Sequence, residues 1–436
     1  MLKRSKYNHF IKCNDMIIAY NARTNALAEM NLKDYEAFLE SVDNLQDELR
    51  NDLKHGGFLI DQNVNELDII RHNIFVSRFS SKQLGLTIAP TSNCNFRCPY
   101  CYEKDVLRAS SMSDKIAEDI VNFVENNANN LSVLSVTWYG GEPLLELGRI
   151  EKLSKSFLDI CEKYNVKYDA SMVTNGYLLS KDYMKRLMNL KVRSIQITLD
   201  GAKDFHDQTR YLIGKKPTFD HIIENLKSLK EFGNDDQFPG ISIRMNINRK
   251  NYAGCKKLIS YLHENEIDKY CEFYPAIVTD VEDKKYKNVY TSDEFEQIKK
   301  DVQDYKNEIG FCFPQQNTYP EIKGNWCVCD MYNSFVIDSD GLIYKCWELM
   351  GNKENSIGHI SDFPCMIENS EYYKNVLEDP TLSQKCSGCD ILPICNGGSC
   401  PVYRKKLGFK PNCEAYKKTV NEQILSTYKI LKDNMR

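Results

Sequence analysis

Residues 91–102 read Thr-Ser-Asn-Cys94-Asn-Phe-Arg-Cys98-Pro-Tyr-Cys101-Tyr, and they directly follow an apolar run at 84–89. Three thiolates at this spacing can hold one [4Fe–4S] cluster and leave its fourth iron without a protein ligand. Such an open iron can bind a cofactor or a substrate, whereas a cluster with four cysteines mainly carries electrons. A structural zinc site normally needs a fourth nearby ligand, so the spacing favours an iron–sulfur site over zinc.

The apolar run at 84–89 is the first of six that resemble buried strands, the others being 133–139, 168–173, 192–199, 241–247 and 271–277. Amphipathic helical patterns lie between most of them, and Ser113 is a suitable N-cap for the first helix. This alternation predicts an α/β fold, a partial TIM-like (β/α)6 barrel of parallel strands. In such barrels the chemistry gathers at the C-terminal ends of the strands, which is where the cysteine stretch lies.

The ends of later strands carry further candidate residues. A Gly-Gly-Glu turn follows the second strand, Thr-Asn-Gly ends the third, and Thr-Leu-Asp-Gly ends the fourth, so the candidates are Gly140, Gly141, Glu142, Asn175, Thr198 and, further on, Arg210. Glycines let a backbone approach a ligand closely, and carboxylate and guanidinium groups pair with charged ligand groups. A tight strand–helix turn is the alternative for the glycines, and a solvated surface residue is the alternative for Arg210.

Composition and charge limit the classes of function that this protein can have. The chain has 436 residues and a formal net charge of −4, which gives no electrostatic footprint for nucleic acid or an anionic membrane. No apolar run is long enough to span a bilayer, and the N-terminus lacks the apolar segment of a secretory signal. We therefore expect a cytoplasmic protein with neither nucleic acid nor membrane among its partners.

Cysteine is the unusual feature, because ten of the seventeen cysteines lie between Cys312 and Cys413. Free core thiols are one interpretation, but this clustering favours metal ligation. Asp340-Gly341 between two apolar runs indicates a hairpin. The region 321–436 has little apolar pattern of its own, so bound metal is expected to help hold it together.

These motifs resemble two known families. The CxxxCx(aromatic)C loop after the first strand is similar to that of the radical S-adenosylmethionine (SAM) superfamily, and the C-terminal cysteines resemble the SPASM domain of peptide-modifying members. The resemblance implies SAM on the open iron, split after one-electron reduction to a 5′-deoxyadenosyl radical. It also implies SAM contacts from Tyr100 and from the six strand-end candidates, with two auxiliary [4Fe–4S] clusters beside the catalytic one.

By that resemblance the outer auxiliary cluster is held by four cysteines, Cys386, Cys389, Cys395 and Cys413. The inner cluster would use Cys346, Cys400 and either or both of Cys327 and Cys329, with Cys312 as an extra candidate. Two features depart from the family pattern: the block ending at Cys400 is one residue longer, and Cys327 and Cys329 compete for one ligand position. The other cysteines (Cys13, Cys161, Cys255, Cys271 and Cys365) are interpreted as ordinary thiols.

The domain division predicted from the sequence has four parts: an N-terminal module at 1–80, the barrel at 81–280, a linker at 281–320 and the SPASM domain at 321–436. The first part has the size and place of the leader-peptide recognition module of many ribosomal-peptide maturases, which adds the leader as a β-strand. A cap that covers one end of the barrel is the alternative for these residues.

The resemblance implies a radical SAM enzyme that modifies a ribosomally made precursor peptide with a leader, by joining a cysteine sulfur to a carbon, and that takes electrons from a flavodoxin or ferredoxin. Sulfatase-maturing (formylglycine-forming) enzymes are the nearest alternative. They carry an aspartate where Trp347 follows Cys346, and they lack about 80 preceding residues, so both features count against them. A non-catalytic iron–sulfur or zinc protein is the remaining alternative, and the iron content would separate it.

Overall fold

The computed structural model describes residues 1–233, 235–278, 288–312, 319–362, 369–398, 400 and 413–434. Cys365 and parts of the predicted linker lie outside the described residues. Within them the chain divides into two units by its contacts: Met1–Ser80 with Gln315–Met331 and Asn375–Arg436, and Ser81–Pro314 with Tyr332–Lys374. The sequence-based division into four parts stays a prediction; the contacts group its first part with Gln315–Met331 and Asn375–Arg436, and assign Tyr332–Lys374 of its last part to the barrel unit.

The strands are β1 Leu2–Arg4, β2 Asn8–Cys13, β3 Met16–Asn21, β4 Ala26–Asn31, β5 Leu59–Asp61, β6 Gln83–Ile88, β7 Val133–Trp138, β8 Lys167–Thr174, β9 Val192–Thr198, β10 Gly240–Ile247, β11 Cys271–Ile277, β12 Ser334–Ile337, β13 Leu342–Tyr344 and β14 Gly358–His359. The α-helices are α1 Leu32–Glu40, α2 Asp47–His55, α3 Glu66–Arg78, α4 Asp114–Ala128, α5 Leu147–Tyr164, α6 Lys181–Asn189, α7 Lys203–Thr209, α8 Phe219–Ser228, α9 Ala253–Glu264, α10 Ser292–Ile309, α11 Ser370–Val376, α12 Gln384–Ser387, α13 Leu392–Cys395 and α14 Cys413–Asn434.

The barrel unit is built on β6 to β11, which lie side by side in chain order and pair in parallel. The α/β class and the six parallel strands predicted from the sequence are confirmed. The predicted N-cap is confirmed too, since the Ser113 side chain accepts from the backbone N–H of Ile116. Because the strands are parallel, their C-terminal ends and the polar residues that follow them meet at one edge of the sheet.

The predicted hairpin around Asp340-Gly341 also forms, as β12 pairs antiparallel with β13. Its position was not predicted: β12 pairs in parallel with β6 and extends the barrel sheet beyond its first strand. The hairpin therefore belongs to the barrel unit, although it lies in the cysteine-rich part of the sequence.

The other unit is organised around β3, the central strand of a three-stranded antiparallel sheet. Side chains alternate along a strand, so its two faces enter two cores. Ile17 and Ala19 pack with residues of α1 and α2. Ile18 and Tyr20 pack in a second core, which also contains Ile70 and Ile74 of α3 and residues from α13 and α14. Among the described residues, no helix has the length and apolar character of a membrane-spanning helix.

A buried ion pair joins α3 to the loop that carries Cys327 and Cys329. Arg78 Nη2 lies 3.4 Å from Asp330 Oδ2, and their side chains are 1% and 0% exposed. The Asp330 carboxylate also accepts from the backbone N–H of Trp326 at 2.9 Å and of Cys327 at 3.1 Å. The pair thus fixes the backbone beside a candidate cluster ligand.

We expect Asp330→Asn to lower the free energy of unfolding by about 3–5 kcal/mol, because it leaves the Arg78 guanidinium buried without its counter-charge. Urea denaturation followed by circular dichroism measures the change. The matched control is Lys54→Met, which removes an exposed ion pair to Asp61 and should change stability by less than about 1 kcal/mol. Equal small losses for both variants would contradict a structural role for the buried pair.

Candidate functional site

The loop with the three cysteines begins just after β6 and is held in place by main-chain hydrogen bonds to two other segments. Ser92 N donates to Ser110 O at 3.0 Å, and Arg97 N donates to Tyr211 O at 3.0 Å. Between them the Phe96 side chain is 1% exposed and belongs to the barrel core. The loop is thus anchored on both sides of Cys94 and directly before Cys98, which pre-organises the thiols it carries.

The thiols of Cys94, Cys98 and Cys101 are brought together and buried. Burial raises the pKa of the Cys94 thiol to about 12, and the Glu142 and Cys98 charges add to the effect. Burial also raises the pKa of Cys101, to which Glu103 and the other two cysteines contribute. Because metal binds thiolate rather than thiol, loading this site with iron must displace protons.

The glycines of the second strand end permit close contact with the cysteine loop. Gly140 has a φ of +106°, and an added Cβ there would lie 2.7 Å from Thr91 O. A Cβ on Gly141 would lie 2.2 Å from Asn93 O. The backbone of this turn therefore approaches the loop more closely than any side chain would allow.

Glu142 connects this turn to the next strand. Its carboxylate accepts from Thr174 Oγ1 at 2.7 Å, from Asn175 N at 2.8 Å and from Leu144 N at 3.1 Å. Its own backbone N–H donates to Asn93 O at 2.9 Å. Burial raises the pKa of this carboxyl, and the hydrogen bonds oppose the shift. Glu142 thus holds the cysteine loop and the end of β8 in fixed positions, a role that the sequence pattern alone did not reveal.

Arg210 is buried beside Tyr100 and Asp200. The Tyr100 hydroxyl donates to the Asp200 carboxylate and accepts from Arg210 Nη1 at 2.9 Å. Arg210 is 8% exposed, and its Nε atom is buried with no hydrogen-bond partner among the described residues. A buried guanidinium with an unused donor suits an anionic ligand group, so the surface-arginine alternative is wrong.

The nearby His206 and Asp207 are structural. Asp207 Oδ1 accepts from the backbone N–H groups of Thr218 and Phe219, each at 2.9 Å, at the start of α8. Asp200 N donates to His206 Nδ1 at 3.2 Å, and burial holds the pKa of this imidazole well below its usual range. These two residues therefore position Asp200 and the neighbouring helix rather than the ligand.

One cavity, with a volume of about 230 Å³, lies at this edge of the barrel sheet. It is lined by all the sequence-predicted residues of the first site: Cys94, Cys98, Tyr100, Cys101, Gly140, Gly141, Glu142, Asn175, Thr198 and Arg210. A concave site with converging polar groups suits a ligand.

The lining residues that were not predicted include Glu103, Gln196, Arg244, Asn246 and Trp347. Period-two alternation could have identified three of them, since Gln196 shares a strand face with Thr198, and Arg244 and Asn246 share one on β10. Burial raises the pKa of the Glu103 carboxyl to about 7. No sequence signal separates Glu103 from a solvated surface glutamate.

The four cysteines predicted for the outer auxiliary cluster are also brought together, in the other unit. Burial raises the pKa of Cys395 to about 12, and the charges of Cys389, Cys386 and Cys413 contribute to the shift. All four have partly buried side chains. Their assignment as ligands stays a prediction.

The inner set is divided between the units. Cys327 and Cys329 lie in one short loop, where Cys327 Sγ accepts from Cys329 N at 3.4 Å. Cys400 belongs to the same unit, whereas Cys346 follows β13 in the barrel unit. Inner-cluster ligation therefore stays a prediction for all four.

Residues 88–262 match the family model of the radical SAM superfamily. A curated relative, the cysteine-type anaerobic sulfatase-maturating enzyme of Clostridium novyi, is 25% identical over 79% of this chain and 96% of its own length. The chain carries a radical SAM domain, and the resemblance of its cysteine loop to the radical SAM superfamily is confirmed.

Two solved structures share the fold. Native anSMEcpe with bound AdoMet is 23% identical, has a TM-score of 0.62, and covers 81% of this chain and 100% of its own. Streptococcus suis SuiB bound to precursor peptide SuiA is 18% identical with a TM-score of 0.54, and covers 94% of this chain and 98% of its own. The second match thus extends over more of this chain than the first.

The chemistry of the residues that line the cavity suits SAM and a [4Fe–4S] cluster. Three thiols supply three iron ligands, the glycine turn lets the cavity wall pack closely against the cysteine loop, and the unused Nε of Arg210 suits a carboxylate. These residues would hold the two groups.

We expect Gly141→Ala to abolish SAM cleavage, because a Cβ 2.2 Å from a backbone oxygen must displace the cysteine loop. The measurement is 5′-deoxyadenosine formation with dithionite, alongside iron content. Gly148→Ala in α5 is the matched control, since its Cβ would meet nothing within 4 Å and activity should be unchanged. Normal cleavage by the Gly141 variant would show that the close approach is dispensable.

Proposed function

We propose, from the radical SAM domain at residues 88–262, that this protein matures a ribosomally made peptide by forming a thioether between a cysteine sulfur and a carbon of another residue. The observation that carries the proposal is the sheet-and-helix module before the barrel, in a chain that SuiB, bound to a precursor peptide in its own structure, matches over 94% of the length. A module before the barrel supports the binding of a leader peptide in addition to the peptide's reacting residues.

In this proposal SAM and the catalytic cluster, when bound, supply a carbon radical that takes a hydrogen atom from the peptide. The chain's own residues orient the bound groups and enclose them. The Cys94, Cys98 and Cys101 thiolates hold iron, Arg210 binds a carboxylate, and the glycine turn shapes the wall of the cavity. Burial of this network keeps water from the reacting carbon.

The balance of the reaction requires an electron acceptor. Closing the thioether removes one hydrogen atom from carbon, and one proton and one electron from the thiol. The proton passes to solvent, and we propose that an auxiliary cluster takes the electron. The four grouped cysteines of the outer set are the candidates for holding such a cluster.

Leader binding is proposed for the sheet of the N-terminal module. Within the described residues β2 and β4 each pair only with β3, so both present an unpaired edge. An extended peptide adds to such an edge through main-chain hydrogen bonds. This proposal makes residues 1–80 a recognition element rather than a cap.

Formylglycine formation is the second candidate, since the Clostridium novyi enzyme and anSMEcpe are both similar over nearly their whole lengths. Trp347 counts against it, because an indole cannot serve as the base that the aspartate provides in that branch. Trp347 lines the cavity, and its indole offers no such base there.

The test uses reconstituted enzyme, SAM, reductant and the peptide encoded by a neighbouring short reading frame, under anaerobic conditions. We expect the peptide to lose the mass of two hydrogens per crosslink. For each crosslink one cysteine thiol should also cease to react with iodoacetamide. The triple Cys94, Cys98 and Cys101→Ala variant is the control and should leave the peptide unchanged.

Other outcomes separate the alternatives. Loss of two hydrogens with every thiol still reactive would contradict a thioether. A product that reacts with a hydrazide would indicate an aldehyde and favour formylglycine. SAM cleavage with an unchanged peptide would count against peptide maturation of this substrate.

A further inference from the structure

Three metal-binding side chains meet in the barrel unit away from the cavity. They are His263 near the end of α9, Asp268 in the following turn and Cys312 just after α10. One donor atom from each lies within 4.8 Å of the others. None of the three lines the radical SAM cavity.

Asp268 is the centre of this group. Its side chain is 1% exposed, and Oδ2 accepts from His263 Nδ1 at 2.7 Å and from Cys312 N at 2.8 Å. Its second oxygen, Oδ1, is buried with no hydrogen-bond partner among the described residues. A buried carboxylate oxygen without a partner is costly, and a cation would satisfy it.

We propose that His263, Asp268 and Cys312 bind a Zn²⁺ ion, at a site separate from the iron–sulfur centres. Thiolate, imidazole and carboxylate are the three ligand types that zinc uses in proteins. Three protein ligands leave the fourth tetrahedral position for water or an external thiol. The site is independent of the function proposed above.

The geometry requires only small adjustments. Donors bound to one tetrahedral zinc lie roughly 3.4–3.7 Å apart, from the usual metal–ligand bond lengths. The distance between His263 Nδ1 and Asp268 Oδ2 would increase from 2.7 Å, and the Cys312 thiol would move closer to both side chains. Cys312 is exposed, so its side chain can move.

Two other interpretations of the group are weaker. A nucleophilic cysteine needs a lowered pKa, whereas partial desolvation and the Asp268 carboxylate raise the pKa of the Cys312 thiol. The sequence left Cys312 as a possible extra ligand of the inner auxiliary cluster. In the structure Cys312 lies beside His263 and Asp268, a contact that no sequence motif indicates.

Ligands from the stretch that ends α9 and from the residues just after α10 would join two separate segments of the chain. Zinc would therefore clamp α10 to the last βα unit of the barrel, and its binding free energy would add to the stability of that unit.

The experiment uses the full-length protein with its clusters reconstituted, treated with ZnCl2 and desalted through a weak chelator. Zinc and iron are then measured by mass spectrometry. We expect wild type to retain one more zinc per chain than Cys312→Ser and His263→Asn, with affinity reduced at least about 100-fold in the variants. Cys13→Ser is the control and should retain zinc as wild type does.

X-ray absorption at the zinc edge provides a second readout, with one sulfur and otherwise nitrogen and oxygen neighbours expected. Several sulfur neighbours would place zinc in vacant cluster cysteines and overturn the proposal, as would equal retention by Cys312→Ser. Because Cys312 is exposed, its serine variant should fold. Iron content and SAM cleavage, measured on the same samples, report the proposed function separately from zinc binding.

Discussion

The cavity depends on the hydrogen bonds of one buried carboxylate. Glu142 accepts from the end of β8 and from its own turn, while its backbone N–H donates to the cysteine loop. Bonds to a charged acceptor are stronger than neutral ones, and here they offset the cost of burying the charge. Three separate segments thereby take fixed positions, and the thiols of the loop can face the other residues of the site.

Hydrogen bonds also offset the cost of burying the other charged groups of the cavity. Arg210, Asp200 and Tyr100 are buried together, and their hydrogen bonds compensate most of the desolvation of the two ions. Nε of Arg210 is the part left uncompensated. A fold selected for stability alone would satisfy or remove that donor, so its persistence is understandable if a ligand completes it. The cost to the free protein is then the source of affinity for an anionic group.

Local pattern was enough to predict what lies close in sequence. Apolar runs, a cap residue and a turn motif predict the six barrel strands, the Ser113 cap and the hairpin at Gly341. Nine of the ten cavity residues come from the cysteine loop and the strand-end candidates, whereas Tyr100 comes from the family resemblance alone. The pairing of β12 with β6 was not predictable, because the sequence of a four-residue strand does not indicate which distant strand it pairs with. For the same reason the meeting of Cys312 with His263 and Asp268 depends on packing that single-sequence periodicity does not encode.

The same limitation explains why the ends of the chain seemed separate. The second face of β3 packs Ile18 and Tyr20 against Ile391 and Ile424, which come from the cysteine-rich C-terminal part. Either part alone would expose this apolar face to water, so the two segments are stable only together. It follows that the edge strands proposed to bind the leader and the four grouped cysteines share one core. A peptide held at that edge would therefore be tied to these four cysteines through packed side chains rather than through a flexible linker.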